Sequence, residues 1–303
     1  MPNINKLPRT FSVEGADSFV VETSRGTRKV SKDVLVPPYL EEMYREFISN
    51  DFLVFSPAYF IINNTGAITG LTAEGKAITE FIIPSKIDGM LITSIGNNVF
   101  QDCSDLTNII IPDSVTNIGN YTFQNCINLT NIIIPNNVTN IGSYAFQNCN
   151  GLTNATIGNS VTNIGGYAFQ NCSSLTNITI PDSVTNIGGG TFYGCINLNT
   201  INIPNSVTSI GSSTFRDCSN LTNITIPNGV TSISNYTFQN CTNLKTITIP
   251  NSVTRINIGA FTSCTNLTTV NYTGTEEQWN AISVHRIGNT ALTDATKVFN
   301  YAD

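Results

Sequence analysis

Residues 175–195 read LTNITIPDSVTNIGGGTFYGC, and the architecture follows from this stretch. Its apolar positions are Leu175, Ile178, Ile180, Val184, Ile187, Phe192 and Cys195. Ile178 and Ile180 flank Thr179, the alternation of a strand with one buried face. Pro181 removes a backbone donor and ends that strand. Val184 and Ile187 open a second extended segment, and Gly188 permits the turn after it. Nowhere does the unit offer the roughly 10 residues of helical spacing that a helix needs.

Working outward, the unit recurs at a fixed interval of 23 residues. Phe100, Phe123, Phe146, Phe169, Phe192, Phe215, Phe238 and Phe261 mark eight copies without insertion or deletion. Three residues after each comes a cysteine, Cys103 through Cys264, and three further on a leucine, Leu106 through Leu267. The few apolar side chains of one unit cannot offset the entropy of ordering all its residues. Stacking buries both faces of each unit and completes its ladder hydrogen bonds. The sequence therefore predicts a β-rich solenoid.

The pattern L-x-x-I-x-I-P-x-S-V-T-x-I-G-x-x-x-F-x-x-C resembles the BspA-like class of leucine-rich repeats over residues 95–272. Residues 59–96 are similar to that family's N-terminal cap, and YTGTEEQWNAIS (272–283) to its C-terminal cap. The resemblance implies a right-handed solenoid and roles in surface attachment or recognition. Ala155, Gly158, Ser234 and Asn257 depart from the pattern and are expected to cost local regularity, not the fold.

Four regions are expected: an attachment segment (1–53), an N-terminal cap (54–94), the repeat array (95–272) and a C-terminal cap (273–303). In the first, residues 19–23, a turn at Gly26 and residues 28–35 suggest a β-hairpin. Pro37 and Pro38 then open a helix with Leu40, Met43, Tyr44 and Phe47 at i, i+3, i+4 and i+7. Residues 16–35 resemble short N-terminal segments of phage tail and other virion proteins. In the leading cap, residues 59–62 and the turn 63–66 suggest another hairpin. At the far end, Thr275 and Gln278 match a capping box, with Trp279 and Ile282 placed to cover the last coil.

Composition excludes several functions. Charged residues make up 11% of the chain and the net charge is −6. Residues 95–272 contain as cations only Arg216, Lys245 and Arg255, against five Asp. A nucleic-acid groove needs clustered Lys and Arg, so nucleic acid is not an expected partner. The opening MPNINKLPRTFSVEGADSF has no apolar core, so no secretory signal is expected. No stretch approaches the roughly 18 apolar residues of a spanning helix, and membrane insertion is not expected.

Catalytic and metal chemistry is sparse. One histidine, His285, serves the whole chain, no C-x-x-C occurs, and neither a metal nor another cofactor is expected. Glu276 and Glu277 sit side by side in a helix's first turn and do not face each other as a glycosidase pair must. The chain is therefore not expected to be an enzyme.

What the array does offer is surface. Residues between the core positions of the first strand point outward. One file comprises Asn108, Asn131, Asn154, Asn177, Thr200, Asn223, Thr246 and Thr269. The next comprises Ile110, Ile133, Thr156, Thr179, Asn202, Thr225, Thr248 and Asn271, with the two isoleucines expected to be exposed. Such files can serve merely to solvate the stack, or can form an uncharged face for a protein or glycan on a cell surface. A face without aromatic or Arg anchors binds weakly and needs many copies, which also suits a homo-oligomer. Three settings are open: a recognition module on a phage tail or virion-like particle docked through residues 1–53, a bacterial cell-surface adhesin, or an internal interaction scaffold.

The eight cysteines are expected to remain thiols. Equivalent positions on stacked strands lie about 4.8 Å apart with side chains parallel, whereas a disulfide needs Cβ atoms about 3.5–4.5 Å apart and facing. Thiol titration of the native protein should label few of them, and of the denatured protein all eight. Labelling of most cysteines in the native state would overturn the stacked arrangement.

Overall fold

The structure, a computed structural model, describes residues 12–13, 18–23, 26–31 and 59–302. Each repeat is one coil with a turn-rich wall, and most coils carry two short strands. In the coil read above, the strands are Asn177–Thr179 and Asn186–Ile187. Between them the Val184 N–H closes a turn on the Pro181 carbonyl at 3.0 Å. Proline thus ends one strand and accepts the bond that turns the chain toward the next.

Successive coils stack in parallel and in register. Ser94–Ile95, Asn117–Ile118, Asn140–Ile141, Asn163–Ile164, Asn186–Ile187 and Ser209–Ile210 form one continuous ladder. Beyond it the glycine after each isoleucine donates to the preceding coil, as Gly142 N–H does to the Ile118 carbonyl at 2.9 Å. A Cβ on Gly142 would stand 2.4 Å from the Gly119 backbone, so closeness of the coils selects glycine here. The ladder breaks after Ser209–Ile210 and resumes as Ser232–Ile233 with Arg255–Ile256 and Ser283–Val284. The first coil of the resumed piece carries Ser234 where glycine would stand, and its Oγ donates to the Ile210 carbonyl at 2.8 Å. Regularity is lost there while the stack continues.

The other departures are absorbed in place. Ala155 stays within an unbroken ladder of Asn131–Ile133, Asn154–Thr156 and Asn177–Thr179. Gly158 still accepts from Val161 N–H, as proline does in other coils. The Asn257 N–H still reaches the Ile233 carbonyl at 2.9 Å.

Ten phenylalanines form the spine of the core. Phe60, Phe81, Phe100 and the seven that follow at 23-residue steps contact one another in sequence, with centroids 5.1 to 5.8 Å apart. From Phe100 to Phe238 successive rings lie within 12° of parallel, because stacked coils repeat one backbone. Beside them all eight cysteines are buried as free thiols.

Each wall turns twice through the left-handed region. Asn98, Tyr121, Tyr144, Tyr167, Gly190, Ser213, Tyr236 and Gly259 occupy the first such position, with φ between 56° and 65°. Asp102, Asn125, Asn148, Asn171, Gly194, Asp217, Asn240 and Ser263 occupy the second. Asn, Asp and Gly suit this region. Tyrosine does not; three tyrosines instead stack on one another, Tyr121 on Tyr144 at 4.8 Å and Tyr144 on Tyr167 at 5.0 Å.

Both ends of the core are closed. Phe60–Ile62 pairs antiparallel with Ala67–Leu71, around a turn in which Asn63 Oδ1 accepts from Thr65 and Ala67 N–H. Ala67–Leu71 then pairs with Ser94–Ile95, so the hairpin joins the stack. At the other end, the helix Glu276–Asn280 carries a complete Thr275–Gln278 capping box. Trp279 meets Tyr272 edge-on at 5.3 Å and Ile282 is buried. The chain then adds one irregular coil, whose Thr296–Val298 extends the ladder of Thr269–Tyr272. Asn289 anchors that coil: Oδ1 accepts from Phe261 N–H at 3.1 Å, and Nδ2 donates to the carbonyls of Asn257 and His285.

In the N-terminal region Ser18–Thr23 pairs antiparallel with Gly26–Ser31, as in the expected hairpin; residues 32–35, also expected in its second strand, lie outside the described residues. Ser12–Val13 adds a third strand. The helix expected over residues 37–47 lies outside the described residues.

Truncating one ring of the spine leaves a cavity that rigid coils cannot fill. Phe169→Ala should cost about 3 to 5 kcal/mol in denaturant unfolding. Asn289→Ala strands one buried N–H and two carbonyls and should cost about 2 to 4 kcal/mol. A loss under half a kcal/mol at Asn289 would mean that the last coil does not seal the core.

Candidate recognition face

The first strand of each coil buries its central residue and turns its flanks outward. Asn131, Asn154 and Asn177 are direct cross-strand partners, as are Ile133, Thr156 and Thr179. Asn131, Asn154, Asn177, Thr156 and Thr179 are exposed, and so are Asn223 and Thr225 farther along. Part of their hydrogen-bonding capacity is used within the face. Asn154 Nδ2 donates to Asn131 Oδ1 at 3.2 Å and to Thr153 Oγ1 at 3.1 Å, and Asn223 Nδ2 to Thr222 Oγ1 at 3.1 Å. Amides in register can chain in this way because each carries both a donor and an acceptor.

Several members of the files are less exposed than expected, Asn271 among them. Ile110 and Ile133 are half-buried, because in-register β-branched neighbours cover one another; Ile110 is opposite Ile82, itself buried in Glu80–Ile82. Asn108, at the same end, is also only partly exposed. Thr248, expected on the outer face, is buried. It is opposite Asn271, which is opposite Val298, so the returning C-terminal strand flanks this end of the face. The ladder is also interrupted: no strand forms at residues 200–202, and Asn108–Ile110 does not pair with Asn131–Ile133. The most regular surface is therefore the three-strand patch from Asn131 to Thr179.

Nucleophile chemistry is suppressed in the core. Each cysteine from Cys126 onward donates its S–H to the carbonyl of the phenylalanine one coil back, such as Cys149 Sγ to Phe123 O at 3.1 Å. Burial pushes the Cys195 and Cys264 thiols up to about 12, outweighing the opposing effect of the neighbouring coil's backbone. The remaining thiols are raised for the same first reason. A thiol held protonated is neither nucleophile nor metal ligand. Among the described residues no His, Cys, Asp or Glu side chains gather in threes as a metal site would need. His285 is exposed and its Nδ1 accepts from Ile287 N–H at 3.2 Å. Glu276 and Glu277 lie exposed in the first turn of their helix. No helix among the described residues is long and apolar enough to cross a membrane.

A second ordered surface escaped the sequence reading. On the turn-rich wall, Gln101, Gln124, Gln147 and Gln170 link amide to amide. Beside them Asn171, Asn148 and Asn125 each donate Nδ2 one coil back, to Asn148, Asn125 and the Asp102 carboxylate in turn, at 2.6 to 2.9 Å. Asn117, Asn140, Asn163 and Asn186 form a third chain along the second strand. The signal was present as glutamine recurring one residue after the phenylalanine.

The family model described as "BspA type Leucine rich repeat region (6 copies)" matches residues 93–195 and 162–296. Among solved structures, the leucine-rich-repeat protein of T. pallidum is 26% identical at a TM-score of 0.51, over 70% of this chain and 90% of that one. A leucine-rich cell surface protein of Faecalibacterium prausnitzii is 24% identical at a TM-score of 0.32, over 76% and 97%. No curated protein matches the chain.

Proposed function

Because the chain belongs to the BspA-type leucine-rich-repeat family, we propose that it is a non-catalytic recognition module of a bacterial cell surface. Its ligand is a protein or glycan met through the Asn/Thr face. The single observation that carries this reading is the register-matched, uncharged patch of Asn131, Asn154, Asn177, Thr156 and Thr179. Short amide and hydroxyl groups at strand spacing suit many small contacts to a repetitive partner, with affinity gained from copy number.

The alternative of a particle-borne module docked by residues 1–53 rests on the resemblance of residues 16–35 to virion proteins. Neither solved relative named above is described as one. The surface-attached reading therefore comes first. Recovery of the chain on the outside of intact cells supports it; recovery only in released particles favours the other.

A face without ionisable groups has two consequences that can be measured together. Full-length protein displayed on multivalent beads should bind its target cells with little change between low and high salt, since no charge pair is there to be screened. Asn154→Glu with Thr179→Glu should abolish that binding while leaving the melting midpoint near that of the parent. Binding that survives the double change, or that collapses in salt, would remove the Asn/Thr face from consideration.

A further inference from the structure

The amide ladders of the turn-rich wall both stop at the same coil. Where Gln170 and Asn171 lead to a fifth rung, the chain places Tyr193 and Gly194. Gly194 keeps the left-handed turn, with φ of 74°, but supplies no side chain. The missing rung leaves an open recess of about 440 Å³, lined among others by Asn150, Asn171, Ser173, Tyr193, Ile196 and Asp217. That volume lies within the roughly 300–1,000 Å³ of small-ligand sites.

The walls of the recess are chemically uneven. Asn171 donates its amide to Asn148, and its Oδ1 projects over Gly194, 2.4 Å from where a Cβ would stand, with no donor to meet it. On the far side the Asp217 carboxylate accepts from Asn240 Nδ2 at 2.6 Å through one oxygen, and the other lies 3.7 Å from Arg216 Nε. The Arg216 guanidinium sits 5.3 Å from the centre of the Tyr193 ring. Ile196 is exposed at the rim, where the equivalent residues Asn150 and Ser173 are polar.

These groups discriminate between ligand classes. Asp217 repels an anion, and the Arg216 guanidinium beside it repels a metal ion. Two oxygen acceptors awaiting donors, an aromatic ring and an apolar rim suit a neutral polyhydroxyl ring, with hydroxyls on the acceptors and C–H faces on Tyr193 and Ile196. We propose that the recess at Gly194 is a binding site for one neutral sugar residue, separate from the Asn/Thr face and independent of it.

The test restores the missing rung. Asn stands in the left-handed region at the equivalent position of three earlier coils, so Gly194→Asn should fold, complete the ladder from Asn171 toward Asp217 and fill the recess. Full-length protein is titrated with the methyl glycosides of glucose, galactose, mannose and N-acetylglucosamine, followed by NMR shifts of Tyr193 and by calorimetry. The parent protein should bind at least one of the four saturably, and Gly194→Asn should weaken that binding about tenfold or more. Tyr193→Gln, which places the residue of the preceding coils, should weaken it as well. The proposal fails if none of the four binds the parent, or if Gly194→Asn binds with unchanged affinity and a melting midpoint no lower than the parent's.

Discussion

Every coil rests on a copy of itself, and this constraint governs the chain. Parallel in-register stacking brings each side chain against its own equivalent in the next coil, at strand spacing. A residue can recur at a given position coil after coil only if it can touch its duplicate. Phenylalanine can, by stacking its rings. Asparagine and glutamine can, because an amide donates at one end and accepts at the other. A charged group cannot, since like charges directly opposite repel. The scarcity of Lys, Arg, Asp and Glu over residues 95–272 is thus imposed by the stack.

Much of this was legible in the residues themselves. The F-x-x-C-x-x-L spacing fixed the coil length, the core and the fate of the cysteines, because each depends only on periodicity. The capping box at Thr275 was legible because it is local. What escaped depends on contacts between distant rungs. Phe60 and Phe81 extend the spine although they stand off the repeat interval. The last coil was hidden because Arg255 pairs with Ser283, and Thr269 with Thr296, across intervals longer than the repeat. Nothing in the pattern around Asn289 shows that its amide replaces a turn of backbone. For the face, alternation gave the outward direction of Asn154 and Thr179 correctly. It could not show that Val298 would return beside Asn271, or that Thr248 would be buried.

The face and the recess represent two ways in which a stack acquires chemistry. Where identical rungs follow one another, as from Asn131 to Asn177, the surface is a repeating array suited to a repeating partner. Where one rung changes, as at Gly194, the surface gains a single locus with an address along the axis. The second route needs no new element of structure. The backbone of the fifth coil still donates from Gly194 N–H to the Arg216 carbonyl, as if the side chain were present.

The row of sealed sulfurs bears on where such a protein can work. Seven S–H groups are committed to carbonyls, and all eight sulfurs are shielded from water. The fold requires no oxidant to mature and no reductant to persist. Cytosol and open medium are equivalent to it in this respect. While the coils stay stacked, no disulfide has to be formed or rearranged in either setting.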